Sequence, residues 1–381
     1  MANNIYRQEK YQAWTVRWRD NQGTRKAKNF SDKKYGTRQE ARIQAESFLK
    51  TIQADLIRNE YIDPHRGKIT LNEFANEVGI IKESHSPHTK QVKETNYNTH
   101  IALSFLADKP INSINPADIN RFIREIHNNR DKPYSRALVI KVYQILFGLF
   151  REAKEMNLIK DNPCDTQLAK KSFPKENKSK NHYLTKFEVN ALAKEIEKTH
   201  PQYATIVYLL AYSGLRSGEY RALTWEDIDF NNNTISVNKA VTEVAGVLSV
   251  VEPKTKSSIR TIKIDNITMN RLKAHKKNHS IPNCEIVFPD SNCTNPIRGA
   301  NFRNRVWNPA CDKLGLTGVT PHDLRHTSVS LSVEAGVDLL AISKGLGHKD
   351  IRTTANNYSE LFPHADEMKA EKLELLQQEV I

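Results

Sequence analysis

The chain has 381 residues, of which 38% are hydrophobic and 27% are charged, so it is long enough for two or three domains and too apolar to be broadly disordered. Its formal net charge of +13 favours a polyanionic partner, because a basic surface that neutralises phosphates releases condensed counterions. Charge alone leaves a generally basic protein, or one bound to an anionic membrane surface, as alternatives.

Cysteine use and hydropathy exclude several other classes. Cys164, Cys284, Cys293 and Cys311 are far apart and form no CxxC pair, which predicts reduced thiols and no zinc site. The N-terminus lacks the apolar core of a signal peptide, and no apolar run approaches the ~20 residues that span a bilayer. We therefore expect a cytoplasmic protein with no membrane partner.

Residues 1–62 predict a small basic domain. Its first strand interleaves apolar and basic residues, namely Tyr11, Trp14, Val16 and Trp18 with Arg17 and Arg19. A turn leads into a returning strand over 26–30, and a Thr37–Glu40 capping box opens a helix. Residues 1–60 hold 13 Lys+Arg against 7 Asp+Glu, so we expect the free face of this sheet to enter a DNA major groove. The candidate contacts are Arg17, Arg19 and Lys26, and a protein-binding domain is the alternative.

Residues 68–162 predict a helical domain, because apolar residues recur there at helical spacing. The expected helices cover 89–106, 116–126 and 137–154. Lys90 and Lys93 are candidates for a solvated or DNA-facing side. By itself this pattern indicates only a helical bundle.

Residues 163–182 predict an exposed basic linker, because they combine two prolines with a lysine cluster. Lys175 and Lys178 are candidate DNA contacts in this linker. The alternative is a solvated tether without a partner.

Residues 183–381 predict a mainly helical domain with a small sheet. A Thr185–Glu188 capping box begins its first helix. The later elements are helices over 204–212 and 215–223, a strand over 234–237, a hairpin over 247–264, and mostly helices from 268 onwards.

Four stretches of this segment hold polar residues that a purely structural helical domain would not need. They are Gly214-Leu215-Arg216-Ser217-Gly218-Glu219, Pro253-Lys254-Thr255-Lys256, Pro321-His322-Asp323-Leu324-Arg325-His326, and Leu346-Gly347-His348 followed by Tyr358. Arg216 opens a helix after a glycine break, where the helix dipole also favours an anion. Taken alone, Arg216 is better explained by a helix-start salt bridge to Glu219.

His322 and Arg325 lie three residues apart, so they project from one face of a helical turn begun by Thr320. An arginine can hold two phosphodiester oxygens, and a histidine can move a proton. With His326, the stretch is similar to the zinc-peptidase pattern H-E-x-x-H, with Asp in place of Glu. A metallopeptidase is disfavoured, because the glutamate base and a third ligand are missing and Arg325 would repel a dication.

Taken in order, G-L-R-x-x-E, a lysine in a hairpin turn, H-x-L-R-H, L-G-H and a tyrosine ten residues later resemble the active-site set of the tyrosine recombinases, the phage and transposon integrases. The resemblance covers about 183–362. It implies that Tyr358 is the nucleophile and that the scissile phosphate is bound by Arg216, Arg325 and His348.

The same resemblance implies supporting roles for other residues. Lys254, with Lys256 as the alternative, would protonate the leaving 5′ oxygen. His322 would assist proton transfer at Tyr358, and Glu219 would support the site. His326 is expected to be structural or to act through another residue.

The resemblance also implies a multidomain, mainly α fold with small β-sheets. Its parts would be an arm-type DNA-binding domain (1–62), a helical, SAM-like core-binding domain (68–162), a basic linker (163–182), and a mixed α+β catalytic domain (183–381) with an exchange helix at about 365–378. The enzyme would act as a homotetramer on double-stranded attachment-site DNA, with accessory bending or excision-directing proteins, in the bacterial cytoplasm at the nucleoid.

The implied reaction integrates and excises a mobile element through a 3′-phosphotyrosine intermediate, with no cofactor, metal or ATP. A DNA-binding regulator on the same fold is the first alternative, but it would need no nucleophile. A resolvase of the same family is the second alternative. The basic N-terminal segment favours an integrase over a resolvase.

Overall fold

The computed structural model of the chain describes residues 4–20, 23–58, 61, 66–128, 133–167, 173–174, 182–253 and 258–361, with four isolated positions at 370, 373, 374 and 377. The chain divides into two compact units, Met1–Asn177 and Lys178–Ile381. Four lysines of interest lie outside the described residues, namely Lys175, Lys178, Lys254 and Lys256. Most of the C-terminal helix expected over 365–378 also lies outside them.

The first unit begins with a three-stranded antiparallel sheet in the order β1-β2-β3. Its elements are β1 (Asn4–Gln8), β2 (Ala13–Arg19) and β3 (Arg25–Ser31), followed by α1 (Asp32–Tyr35) and α2 (Arg38–Ile57). The predicted strand pair and helix are confirmed, including the Thr37 cap that accepts from Glu40 N. Strand β1 was not expected, because its five residues show little apolar alternation. Tyr11 lies in an exposed 3-10 turn before β2, not in the strand.

The strand register separates two faces of this sheet. Val16, Trp18 and Phe30 face α2 and form a core with Ala45 and Ile52. The opposite side, called here the polar sheet face, carries Tyr6, Thr15, Arg17, Arg19, Arg25 and Asn29. Lys26 is paired with Trp18, so it lies on the α2 side and not beside Arg17 and Arg19 as expected.

Four helices with a hydrophobic core of their own complete the described part of the first unit. They are α3 (Leu71–Val78), α4 (Pro87–Asn96), α5 (Pro116–Asn128) and α6 (Arg136–Glu155). The helix expected over 89–106 is shorter, because α4 passes into a π turn that ends at Ile101. Apolar residues of α5 and α6 fill this core at the predicted helical spacing, with Phe122 and Phe150 among the most buried.

The second unit is mainly helical with two small sheets, which confirms the predicted fold class. Its helices are α7 (Lys186–Thr199), α8 (Pro201–Ser213), α9 (Ser217–Ala222), α10 (Asn266–His279), α11 (Gly299–Phe302), α12 (Asn308–Lys313), α13 (Asp323–Glu334), α14 (Leu339–Leu346) and α15 (Ile351–Tyr358). Its strands are β4 (Ile228–Asp229), β5 (Thr234–Val237), β6 (Ala240–Val244), β7 (Val247–Val251) and β8 (Arg260–Lys263). The capping box of Thr185 and Glu188 opens α7 as predicted.

The hairpin expected over 247–264 is wrong. Strand β7 pairs with β6, whereas β8 pairs with β5 in the other sheet. The physical reason is burial, because Ile262 of β8 lies opposite Ile235 in the core, while Val247 and Val250 of β7 are exposed. The lysine-containing stretch therefore connects two sheets.

The cysteines also depart from the expectation of four reduced thiols. Cys284 and Cys293 form a disulfide, with their Cα atoms 5.9 Å apart. Their spacing gave no CxxC signal, but the loop folds back through an antiparallel bridge between Pro289 and Pro296. Cys164 and Cys311 are free and buried. In the described part of the chain, every helix is too short or too polar to cross a bilayer.

Candidate active site

A buried guanidinium joins three distant segments of the second unit. Arg325, in the first turn of α13, is only 3% exposed. It donates from Nη1 to the carbonyl of Gly214 at 2.5 Å and from Nη2 to the carbonyl of Leu346 at 2.8 Å. These carbonyls lie at the C-terminal ends of α8 and α14, where the helix dipole is negative. Two helix ends therefore hold the same cation.

Two glycines of the sequence motifs make this approach possible. Gly214 and Gly347 cap α8 and α14 with φ of +65° and +68°, a conformation that favours glycine. A Cβ on Gly214 would lie 2.6 Å from Ser328 Oγ, and one on Gly347 would lie 3.1 Å from the Arg260 side chain. Both glycines are therefore required by geometry.

A second group of charges surrounds Glu219. Its carboxylate accepts from Arg216 N at 2.8 Å and Arg216 Nη1 at 2.9 Å, and from Arg260 Nη1 and Nη2 at 3.1 and 2.9 Å. Arg260 Nε also donates to the carbonyl of Gly345 at 2.8 Å. Burial alone would raise the pKa of Glu219, but the hydrogen bonds and charge of Arg260, with those of Arg216, lower it to about 2. Glu219 is thus a fixed anion between two arginines.

The two arginines around Glu219 differ in access. The Arg216 side chain is 36% exposed, whereas that of Arg260 is buried. Burial, followed by the charge of Arg216, lowers the pKa of Arg325 to about 9, so Arg325 is still a cation at neutral pH. An incoming anion therefore meets Arg216 first, with two further guanidiniums behind it.

His348 is held between Arg325 and α15. Its Nε2 lies 3.1 Å from Arg325 Nη2, and its Nδ1 lies 2.8 Å from Thr354 Oγ1. Burial lowers the pKa of His348 to about 4, and the charges of Arg325, Arg216 and Arg260 add to the effect. The ring is therefore neutral at pH 7, with Nε2 accepting from Arg325 and Nδ1 donating to Thr354.

Tyr358 ends α15 and is 2% exposed. Its phenol oxygen lies 2.9 Å from Nδ1 of His326. Burial raises the pKa of Tyr358, and the charges of Arg325 and Arg216 oppose that rise. The cations act in the expected direction, but burial outweighs them, so the phenol is protonated.

The residue that contacts the phenol differs from the sequence-based expectation. That contact was expected of His322, whose ring centroid instead lies 5.2 Å from that of His326. Burial and the charge of Arg325 lower the pKa of His322. Thr320 and Asp323 form the expected turn through two hydrogen bonds of 2.7 Å, and the helix itself begins at Asp323.

The structure brings most of the predicted site residues together. The Arg325 cluster is defined here as Arg216, Glu219, Arg260, His322, Arg325, His326, His348 and Tyr358. Lys254 lies outside the described residues. Sequence reasoning missed Arg260 as a partner of Glu219, the contact of His326 with Tyr358, and the anchoring of His348 by Thr354. The first two of these contacts join residues that are 41 and 32 positions apart in the chain, so no local pattern indicates them.

The predicted DNA contacts that fall within the described residues lie in the first unit. Arg17 and Arg19 are exposed on the polar sheet face, with Arg17 over the Tyr6 ring at 4.6 Å. Lys90 and Lys93 lie half-buried on α4. Lys93 Nζ is 3.1 Å from His85 Nε2, and burial lowers the pKa of Lys93. Lys26 lies on the α2 side of the sheet.

The described residues offer no group of three His, Cys, Asp or Glu side chains that could hold a metal ion. His322 and His326 therefore lack a third ligand within that part of the chain, and the zinc-peptidase alternative has no structural support there.

The arginines, histidines and tyrosine of the Arg325 cluster thus lie together on a mainly helical unit. Residues 182–364 match the phage integrase family. The ICEBs1 integrase of Bacillus subtilis (strain 168) is 28% identical over 76% of this chain and 78% of its own length. The XerC-like tyrosine recombinase of Caldanaerobacter subterraneus subsp. tengcongensis is 26% identical over 93% of each chain.

The fold is also similar to that of solved integrases. A structure of the Tn1549 transposon integrase in complex with a circular intermediate DNA gives a TM-score of 0.70 at 21% identity, covering 80% of this chain and 99% of that one. Over residues 182–364, the chain belongs to the phage integrase family, whose members are tyrosine recombinases. It is a site-specific recombinase of the integrase kind.

Proposed function

We propose that this recombinase integrates a mobile element, and excises it again, by cutting attachment-site DNA through Tyr358. The observation that carries the proposal is that Tyr358 contacts His326, the neighbour of Arg325 in the chain, while Arg325 itself contacts His348. A phosphodiester repels nucleophiles, and attack builds further charge on its oxygens. Cations fixed before the substrate arrives stabilise that charge in the transition state.

The proposed cleavage is a transesterification. The phenol oxygen of Tyr358 forms a bond to phosphorus while the bond from phosphorus to O5′ breaks, which leaves a 3′-phosphotyrosine ester and a 5′ hydroxyl. Lys254, or Lys256 as the alternative, would protonate O5′. The phosphotyrosine ester conserves the energy of the broken phosphodiester bond for rejoining, so ATP is not required. Arginines supply the charge that metal ions supply in other nucleases, so no metal is required.

His348 would join the phosphate ligands when DNA binds. Arginine charges now help to lower its pKa, and a bound phosphate would counter them. The ring could then take up a proton and donate from Nε2 to the phosphate, in place of accepting from Arg325.

The wider assembly is proposed from the resemblance and from the relatives. Residues 1–62, 68–162 and 183–381 would be arm-binding, core-binding and catalytic domains joined by a basic linker. The solved Tn1549 integrase is bound to DNA, which supports DNA as the partner here. A homotetramer, accessory bending or excision-directing proteins, and work in the bacterial cytoplasm at the nucleoid complete the proposal.

A nicked suicide substrate that carries the element's own junction tests this proposal. Wild-type protein should form a covalent protein–DNA adduct with or without EDTA, and Tyr358→Phe should form none. Tyr212→Phe removes the hydroxyl of an exposed tyrosine in the same unit and should retain the adduct. An adduct formed by Tyr358→Phe would contradict the nucleophile, and loss of the adduct in EDTA would contradict metal independence.

A further inference from the structure

We propose that His326 is the general base that takes the phenol proton when Tyr358 attacks DNA. The inference rests on the proposed function, because it assigns a residue to a step that this function requires. The resemblance to the recombinases implies that His322 assists proton transfer at Tyr358, whereas the structure points to a different side chain.

The geometry of the pair supports this assignment. Nδ1 of His326 and the phenol oxygen of Tyr358 are 2.9 Å apart, which is within hydrogen-bond reach for a general base. The two ring centroids are 5.5 Å apart with the planes inclined by 55°, so the imidazole approaches the phenol at an angle and is not stacked on it. His326 lies on α13 directly after Arg325, and Tyr358 ends α15. The contact therefore aligns the nucleophile with the helix that carries the buried guanidinium.

The protonation states of the pair are those of a base and a nucleophile. Burial lowers the pKa of His326, and so do His322 and Arg325, while Asp323 acts in the opposite direction. The imidazole is therefore neutral at pH 7, and with its proton on Nε2 its Nδ1 lone pair faces the phenol. The phenol is protonated, because burial raises the pKa of Tyr358 against the charges of Arg325 and Arg216. A protonated nucleophile thus meets a neutral proton acceptor.

His322 is less well placed for the same task. Its ring meets that of His326 edge to face at 82°, with the centroids 5.2 Å apart. It therefore contacts the proposed base, whereas the hydrogen bond to the phenol is made by His326. His322 would act as a positioning residue for His326 or on the phosphate itself.

The step balances in atoms and electrons. A lone pair of the phenol oxygen forms the bond to phosphorus, and the electron pair of the broken bond to phosphorus stays on O5′. The phenol proton moves to Nδ1 of His326, and O5′ takes a proton from the proposed lysine. In rejoining, the 5′ hydroxyl gives its proton to the lysine that cleavage left neutral, and its oxygen bonds to phosphorus. The bond from phosphorus to the phenol oxygen of Tyr358 breaks, and the imidazolium returns its proton to that oxygen.

Single-turnover adduct formation on the nicked substrate tests the proposal. His326→Gln keeps a polar side chain that cannot act as a base, and its rate should fall by ~10²-fold or more, as expected when a general base is lost. His279→Gln, which removes a histidine in the last turn of α10, should cut at the wild-type rate. A cleavage rate for His326→Gln within threefold of the wild-type rate would overturn the proposal.

Two further measurements separate a base from a side chain that only packs against Tyr358. Replacing Tyr358 by a more acidic fluorotyrosine should restore about tenfold or more of the lost rate in His326→Gln, because a more acidic phenol depends less on a base. Free imidazole should likewise accelerate His326→Ala. If neither treatment restores cleavage while both variants melt as wild type does, His326 only positions the tyrosine.

The pH profile supplies a readout that also holds if a variant is partly unfolded. The wild-type rate per folded molecule should fall as acid protonates His326, whose charged neighbours are His322, Asp323 and Arg325. His326→Gln should lack that fall and should rise towards the pKa of the phenol. An unchanged profile would overturn the proposal. An adduct formed by Tyr358→Phe would instead refute the proposed function itself, so the two failures are distinguishable.

Discussion

Arginines of the polar sheet face and of the Arg325 cluster are the same residue type in opposite surroundings. Arg17 and Arg19 are exposed. Arg17 lies over the Tyr6 ring, and Arg19 donates a hydrogen bond to the carbonyl of Gly23. Arg260 and Arg325 are buried and bonded to carbonyls or to Glu219. An exposed charge is screened by salt and can follow a DNA backbone, whereas a buried charge is fixed before substrate arrives.

The difference between the two regions separates affinity from catalysis. The net charge of +13 counts all of these arginines alike, yet only the buried ones need dedicated partners. A buried charge is tolerated when it is paired and hydrogen-bonded, and breaking its pairing is costly. Variants of the Arg325 cluster should therefore act strongly on cutting and folding, and variants of the polar sheet face should act weakly and on binding alone.

The largest effect is expected for Arg325→Lys. A lysine keeps the charge but has no planar fork, so it cannot hold the carbonyls of Gly214 and Leu346 together. Adduct formation on the nicked substrate should fall by ~10³-fold, as for the loss of a fixed transition-state donor. Arg352→Lys changes an exposed arginine of α15 and should have little effect. A rate within threefold of wild type for Arg325→Lys would remove the distinction between fixed and exposed arginines.

The next effect concerns the pairing of Arg260 with Glu219. Arg260→Met should destabilise the protein by about 3 kcal/mol, because it leaves a buried carboxylate with Arg216 as its remaining cation in the cluster. Urea unfolding measures this loss. The double variant with Glu219→Gln should recover part of it, since the anion is then gone. Additive losses in the double variant would show that the two side chains are not coupled.

Helix caps and breaks were predicted correctly from the sequence, whereas contacts between residues far apart in the chain were not. The Thr185 capping box and the glycine break before Arg216 follow from neighbouring residues, and the structure has both. Arg260 meets Glu219 only because β8 pairs with β5 and not with β7. No local pattern encodes that choice, which burial of Ile262 decides.

The histidines of the site show the same limit. The spacing of His322 and Arg325 predicted a shared helix face, but which imidazole reaches Tyr358 depends on how α15 packs against α13. That packing places His326 within hydrogen-bond distance of the phenol, while the ring of His322 contacts that of His326. The Cys284–Cys293 bridge was missed for a similar reason, since a loop that folds back on itself brings the two thiols together.

A smaller effect is expected on stability against pH. Burial lowers the pKa of folded His348 to about 4, below that of an unfolded histidine, so the unfolded chain binds more protons in acid. The contribution of the neutral ring to the free energy of unfolding is fully present above about pH 6.5. It is lost as pH falls towards the pKa of the folded state. After screening, this amounts to roughly 1 kcal/mol, or about 2–4 °C in melting temperature.

Thermal melts of His348→Gln between pH 7 and pH 5 check this effect. The variant should lose less stability than wild type on acidification, because it has no ring to protonate. His322 and His326, whose pKa values are also lowered, should account for part of the slope that remains. A steeper loss in His348→Gln than in wild type would contradict the sign of the effect.

The smallest effects belong to the polar sheet face. Arg17→Ala and Arg19→Ala should each weaken binding to an arm-site duplex by about threefold and lower the slope of log affinity against log salt by ~1, because under the proposed function each would remove one phosphate contact. Neither variant should change cutting of a core junction. Lys26→Ala is the matched control, since Lys26 lies opposite Trp18 on the α2 side. Filter binding or fluorescence anisotropy over a salt series measures all three. If Lys26→Ala lowered the slope as much as Arg17→Ala does, DNA would be bound by the edge of the sheet, and the contrast between an open basic face and a closed catalytic cluster would have to be redrawn.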